Sequence, residues 1–110
     1  QPFAKGYSQS INQIHCSGIL TSPVKLLMTE NNKALAQIEI TISHQNYSIT
    51  KQKMQQHNIV TKVQVWGKQA VMLNEKAQLG DHIVIEGKLN YSTADKSQFI
   101  EGKNVHLFTK

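Results

Sequence analysis

Residues 63–89 read VQVWGKQAVMLNEKAQLGDHIVIEGKL, and the fold follows from how this stretch is divided. Val63 and Val65 flank Gln64 in the period-two alternation of a strand. Trp66-Gly67 ends that strand. Lys68–Gln78 then has helical spacing, with Ala70, Val71, Leu73 and Ala77 on one side and Gly80 placed to stop it. Leu79-Gly80-Asp81 turns into a second strand, in which Ile83, Ile85, Gly87 and Leu89 share a face. Trp66 is out of step with the valines and in step with Lys62 and Gln64. A core tryptophan would fall with the valines. Trp66 is therefore either an open platform for a flat ligand such as a nucleotide base, or a residue covered by a loop or a second subunit.

Working outward, a strand begins at Asn12, with Ile14, Cys16, Gly18 and Leu20 on one parity, and ends at Thr21-Ser22-Pro23. Glu30-Asn31-Asn32-Lys33 is a turn. Ala34, Ala36, Ile38, Ile40 and Ile42 then alternate with Gln37, Glu39, Thr41 and Ser43, the pattern of a half-buried antiparallel strand. Residues 43–61 are polar, basic and aperiodic and read as a long loop before a strand at Thr61–Trp66. Tyr91–Gln98 reads as a second polar loop, and Phe99–Phe108 as the last strand. Residues 1–10 read as a flexible lead-in, leaving 11–110 as one domain. Three strands, a helix and two strands, short and alternating, must close to hide their edges. The order predicts an all-β, five-stranded antiparallel OB-fold barrel with one short helix between strands 3 and 4. Ile38, Ile40, Val63, Val65, Ile83, Ile85 and Leu107 should be its core. In this fold the ligand surface is the face of strands 2 and 3, flanked by the loops joining strands 1 to 2 and 4 to 5.

Composition narrows the partner. Among 110 residues, twelve Lys+Arg against seven Asp+Glu leave a formal net charge of +5. All twelve cations are lysines. Without arginine the chain lacks the usual bidentate reader of guanine edges, and lysines grip phosphate as point charges. From Ile40 to Asn74 there is no acid, while Lys51, Lys53, Lys62 and Lys68 fall in or near it and are candidate phosphate contacts. Five scattered histidines and the single Cys16 do not make a metal site, although His44 and His57 could touch phosphate. Nucleophile motifs and phosphate-cradling glycine loops are missing, so neither enzyme activity nor a cofactor is expected. One cysteine cannot form an internal disulfide, and no apolar run is long enough to span a membrane. The expectation is a soluble cytoplasmic, nucleoid-associated protein, or one of an organellar stroma or matrix in a eukaryote. Because it opens on Gln1, the sequence is expected to be a processed or partial form.

Several short motifs stand in a familiar order: Asn12…Gly18-x-Leu20…Pro23, Ala36-x-Ile38-x-Ile40, and Val63-x-Val65-Trp66-Gly67-Lys68-x-Ala70. Leu79-Gly80-Asp81-x-Ile83-x-Ile85-x-Gly87-x-Leu89 and Val105-His106-Leu107 follow. Over residues 12–108 the chain resembles the bacterial single-stranded-DNA-binding protein family, including its small relatives in replication restart (primosomal replication protein N) and in cyanobacteria and plastids. The resemblance implies an OB fold that assembles as a homo-oligomer, dimer or tetramer, and stacks the bases of a single strand on aromatics. Trp66 falls at a stacking position of that family, with Tyr47 and Tyr91 as flanking candidates on the two long segments. Other family platforms are not matched: Asn46 or Tyr47 stands where one tryptophan is usual, Val60 at another, and Ala94 near a third. The family's acidic C-terminal tip is also missing at Phe108-Thr109-Lys110. The shortage of aromatic platforms implies weaker binding, as in the small accessory relatives. The function expected is sequence-tolerant single-stranded DNA binding in replication, restart or repair. The alternatives are an OB adaptor of a replication or primosome complex with weak DNA affinity of its own, or binding of single-stranded RNA. Ile19, Val84 and Phe108, apolar but off the inward parity, are the candidates for contact between copies.

Overall fold

In the computed structural model, which describes residues 10–108, the element order is β1 (Ile14–Leu20), β2 (Lys25–Met28), β3 (Ala34–Ser48), β4 (Lys53–Trp66), α1 (Lys68–Lys76), β5 (His82–Ser92) and β6 (Ser97–Phe108). The lead-in expected over residues 1–10 lies, Ser10 apart, outside the described residues. Five strands close a ring in the order β1-β5-β6-β4-β3, and β3 returns to β1 through Ile19↔Thr41 and Leu20↔Ile40. β2 stands outside the ring, paired to β3 from Lys25↔Gln37 to Met28↔Ala34. The described residues thus form an all-β closed five-stranded barrel with one short helix.

The expectation that every pairing is antiparallel is corrected. β4 and β6 run parallel at Val63↔Ile100, Gln64↔Glu101 and Val65↔Gly102. The reason is topological. Directions cannot alternate all the way round a ring with an odd number of strands, so one pair in five must be parallel.

Where one face of a strand meets the core, the alternation read from sequence holds. Ile38, Ile40, Val63, Val65, Ile83 and Ile85 are buried, and Leu107 packs half-buried against them. Each fully buried aliphatic side chain contributes about 1.5–3 kcal/mol. Two glycines admit strands closer than a side chain would allow. A Cβ on Gly18 would lie 2.7 Å from the Thr41 carbonyl oxygen, at the seam where β1 meets β3. A Cβ on Gly87 would collide with the Glu101 carbonyl, beside the irregularity in β5–β6 pairing at Glu86/Gly87.

Helix α1 covers the barrel with Ala70 and Leu73, both fully buried, and approaches β3 closely over the small side chains of Ala34 and Ala36. It is two residues shorter than read from sequence, and Val71, expected on its buried side, is exposed. The Gln69 amide fixes it to β6, donating to the Lys103 carbonyl (2.6 Å) and accepting from the Val105 N–H (2.7 Å).

Both long segments read as loops are strands. β3 and β4 stay paired out to Ser48↔Lys53, so residues 43–61 form most of a hairpin arm closed by Ile49-Thr50-Lys51-Gln52. β5 and β6 stay paired to Ser92↔Ser97 around Thr93–Lys96. The two turns share one construction. Ser48 Oγ accepts the Lys51 N–H at 3.2 Å, and Ser92 Oγ accepts the Asp95 N–H at 3.2 Å. In each, the fourth loop residue is left-handed, Gln52 at φ 54° and Lys96 at φ 53°. A serine hydroxyl fixing a loop N–H is a local substitute for a backbone turn bond.

Candidate nucleic-acid interface

The outer face of β3 and β4 is a ladder of side-by-side pairs: Leu35/Trp66, Gln37/Gln64, Glu39/Lys62, Thr41/Val60, Ser43/Asn58, Gln45/Gln56 and Tyr47/Met54. Its barrel end is an open trough of about 320 Å³. Gln37, Glu39, Lys62 and Gln64 form the floor. Ser22, Pro23 and Lys25, between β1 and the start of β2, form one wall, and Asp95, Ser97 and Phe99 at the β5–β6 hairpin form the other. The first wall is bonded to the floor: Ser22 Oγ accepts the Glu39 N–H (3.0 Å), and the Thr21 N–H donates to the Glu39 carbonyl (3.1 Å). Lys62 Nζ reaches the opposite wall, 3.5 Å from Ser97 Oγ. With two lysines and two acids, the trough has no net charge.

The residues singled out from sequence do not all gather here. Trp66 lies on the trough face, one cross-strand pair beyond Gln64, and keeps 39% exposure beside the buried Leu35. Lys62 is in the floor. Tyr47 shares the same ladder but sits at the far end of the arm, paired with Met54 and exposed. Lys51 is in the arm's turn, and Lys53 projects to the face opposite Tyr47 by strand alternation. Lys68 opens α1. Tyr91, exposed on β5, pairs with Gln98, whereas the neighbouring pair Asn90↔Phe99 brings Phe99 to the trough wall. His44 and His57 face each other across the arm on the side away from Trp66. Sequence reading missed Lys25 and Phe99. Phe99 lies off the inward parity of Ile100, which was a usable signal, while Lys25 joins the site only because β2 docks on β3.

A second exposed surface lies on β1, β5 and β6. There Glu86 stands between two imidazoles, 3.1 Å from His15 Nε2 and 3.9 Å from His106 Nε2. Ile19 and Phe108 both pair with His82 in this sheet and are exposed, and Val84 is half-buried. Cys16 packs against the core, and burial pushes its thiol pKa up. Among the described residues, no cluster of His, Cys, Asp or Glu is arranged to hold a metal ion, and no helix is long and apolar enough to cross a membrane.

No curated protein sequence matches this chain significantly. Among solved structures, a deletion mutant of the single-stranded DNA binding protein from Thermus aquaticus superposes with a TM-score of 0.78 at 18% identity. That likeness covers 89% of this chain and 50% of the Thermus chain, so this chain spans half of its length. The small single-stranded DNA-binding protein from Streptomyces coelicolor gives 0.75 at 15% identity, covering 90% of this chain and 94% of that one. The Plasmodium falciparum SSB complex with ssDNA gives 0.74 at 11% identity, covering 94% and 97%. At such identities the likeness establishes the fold. Membership rests on the sequence itself, which matches the model of a family of binding proteins, not of enzymes, over residues 11–108: the chain belongs to the single-strand binding protein family.

Proposed function

We propose that this protein binds single-stranded DNA with little regard to sequence, along the outer face of β3 and β4. The observation that carries the reading is the trough itself. It is an open groove on the face where an OB barrel presents its ligand surface, walled by two connections, with the chain's single tryptophan one cross-strand pair beyond its floor on the same face. Trp66 is exposed enough to stack a base, which every base permits because every base has a π face. Phe99 and Pro23 flank the floor. Lys25 and Lys62 at the trough, Lys68 beside Trp66, Lys51 in the arm's turn, and Lys53 on the arm's other face, met by a strand that rounds the tip, supply phosphate contacts. Tyr47 and Tyr91 stand on the two arms, where only a strand long enough to leave the trough meets them. A tolerant grip on single strands suits replication, restart or repair. Similarity to single-stranded DNA-binding proteins, one of them in a complex with ssDNA, supports the choice of ligand.

The exposed Ile19 and Phe108 with the half-buried Val84 suit a contact between copies on the β1–β5–β6 face, away from the trough. Small-angle scattering over a concentration series should then give a mass above that of one chain.

The binding test is a titration of labelled single-stranded DNA, duplex DNA and single-stranded RNA of one sequence at two salt concentrations. Single-stranded DNA should bind most tightly and weaken steeply with salt. Tighter RNA binding would replace the ligand, and no binding at low salt would leave the adaptor reading in its place.

A further inference from the structure

The floor of the trough holds an acid, which is unexpected where a polyanion is to lie. Glu39 is half-buried, and its backbone is held on both sides by Thr21 and Ser22, so its position is fixed by the barrel. Its register partner Lys62 reaches instead toward Ser97. The ion pairs among the described residues both involve Glu86, so no described lysine or histidine lies within salt-bridge distance of the Glu39 carboxylate. An unneutralised carboxylate repels phosphate and accepts hydrogen bonds without donating any. A strand entering this trough therefore turns its phosphates to the rim and its bases to the floor.

Resting on the binding proposed above, we infer that Glu39 biases the trough toward bases with an exocyclic amino group, cytosine above all, and against thymine. Cytosine offers an N4–H₂ donor where thymine offers the O4 acceptor. The carboxylate accepts from the first and repels the second, and thymine's one donor, N3–H, is flanked by two carbonyl oxygens that repel the carboxylate as well. The adjacent Gln37 and Gln64 amides each carry a donor and an acceptor and adapt to either base. Lys62, the donor that would favour thymine O4, is directed to the wall. The bias acts at one floor position, so binding elsewhere on the strand stays tolerant.

The test compares oligo-dC and oligo-dT octamers, of equal charge, against the wild type and Glu39→Gln at pH 8 and two salt concentrations. One charge-assisted hydrogen bond at a half-buried site should favour dC by roughly five- to tenfold. In Glu39→Gln the amide offers both patterns, and the ratio should fall to within about twofold. Because both oligomers neutralise the same lysines, the wild-type ratio should hold at both salts. Gln64→Glu, which puts a second carboxylate in the floor, should widen it. Equal affinities in the wild type, or a Glu39→Gln protein that tightens on both oligomers by the same factor, would overturn the inference and leave the binding proposal standing. A wild type that binds neither octamer nor longer single strands at low salt would overturn both.

Discussion

Removing the two lysines at the tip of the β3–β4 arm should weaken binding only to strands long enough to reach them. Lys53 and Lys62 lie nine residues apart on β4, about 30 Å at roughly 3.3 Å per residue. At about 3.4 Å per stacked nucleotide, a strand must extend some nine nucleotides beyond the trough to touch the tip. Lys51→Gln with Lys53→Gln should therefore leave a hexamer's affinity unchanged and lower that of a 20-mer. Each lost phosphate contact reduces the salt slope of single-strand binding by about 0.7, so two remove about 1.4. Between 50 and 200 mM salt, the wild-type advantage on the 20-mer should shrink about sevenfold. Both side chains are exposed, so the fold should not change. Fluorescence anisotropy of labelled oligomers over that salt range gives the slopes directly. A hexamer weakened as much as the 20-mer, or a 20-mer slope that does not move, would refute the reasoning that the arm extends the trough.

Trp66→Ala should cost about 1–3 kcal/mol of binding, roughly 5- to 150-fold. Because part of the ring is covered beside Leu35, it should also cost about 2 kcal/mol of stability, near half the value for a buried tryptophan. Anisotropy and thermal melting separate the two effects, and unchanged affinity would take Trp66 out of the interface. Gly87→Ala drives a methyl group into the Glu101 carbonyl and should destabilise by about 3 kcal/mol, read as a lower urea midpoint, with an unaltered midpoint counting against the close strand approach. Burial raises the Cys16 pKa, so iodoacetamide should alkylate it more slowly than a free cysteine at the same pH. The fold then holds the thiol proton more tightly than the unfolded chain does. That contribution is intact below the usual thiol pKa and is lost as pH rises through the folded value.

The barrel was legible because its strands each bury one face. Ile38 and Ile40, Val63 and Val65, and Ile83 and Ile85 could alternate only toward a core. The arms were not legible for the same reason: residues 43–58 meet solvent on both faces, so no hydropathy period marks them as strand. The stretch Lys25–Met28 carries no strand period, because only Leu26 of its apolar residues is half-buried and Leu27 and Met28 are exposed. The parallel β4–β6 pair leaves no mark in composition, since it follows from closing five strands into a ring. Trp66's place outside the core was readable from its parity with Lys62 and Gln64. Lys25 and Phe99 belong to segments far apart in sequence that meet only when the trough forms.

Trp66 is the only tryptophan, so its fluorescence reports on the trough end alone. Titrating the protein with a single-stranded oligomer and with its duplex at low salt is the most direct test of the claim that this face binds single strands. Saturable quenching by the single strand, and far less by the duplex, is the expected result. Binding of the single strand, seen by anisotropy, without any change in tryptophan emission would contradict it.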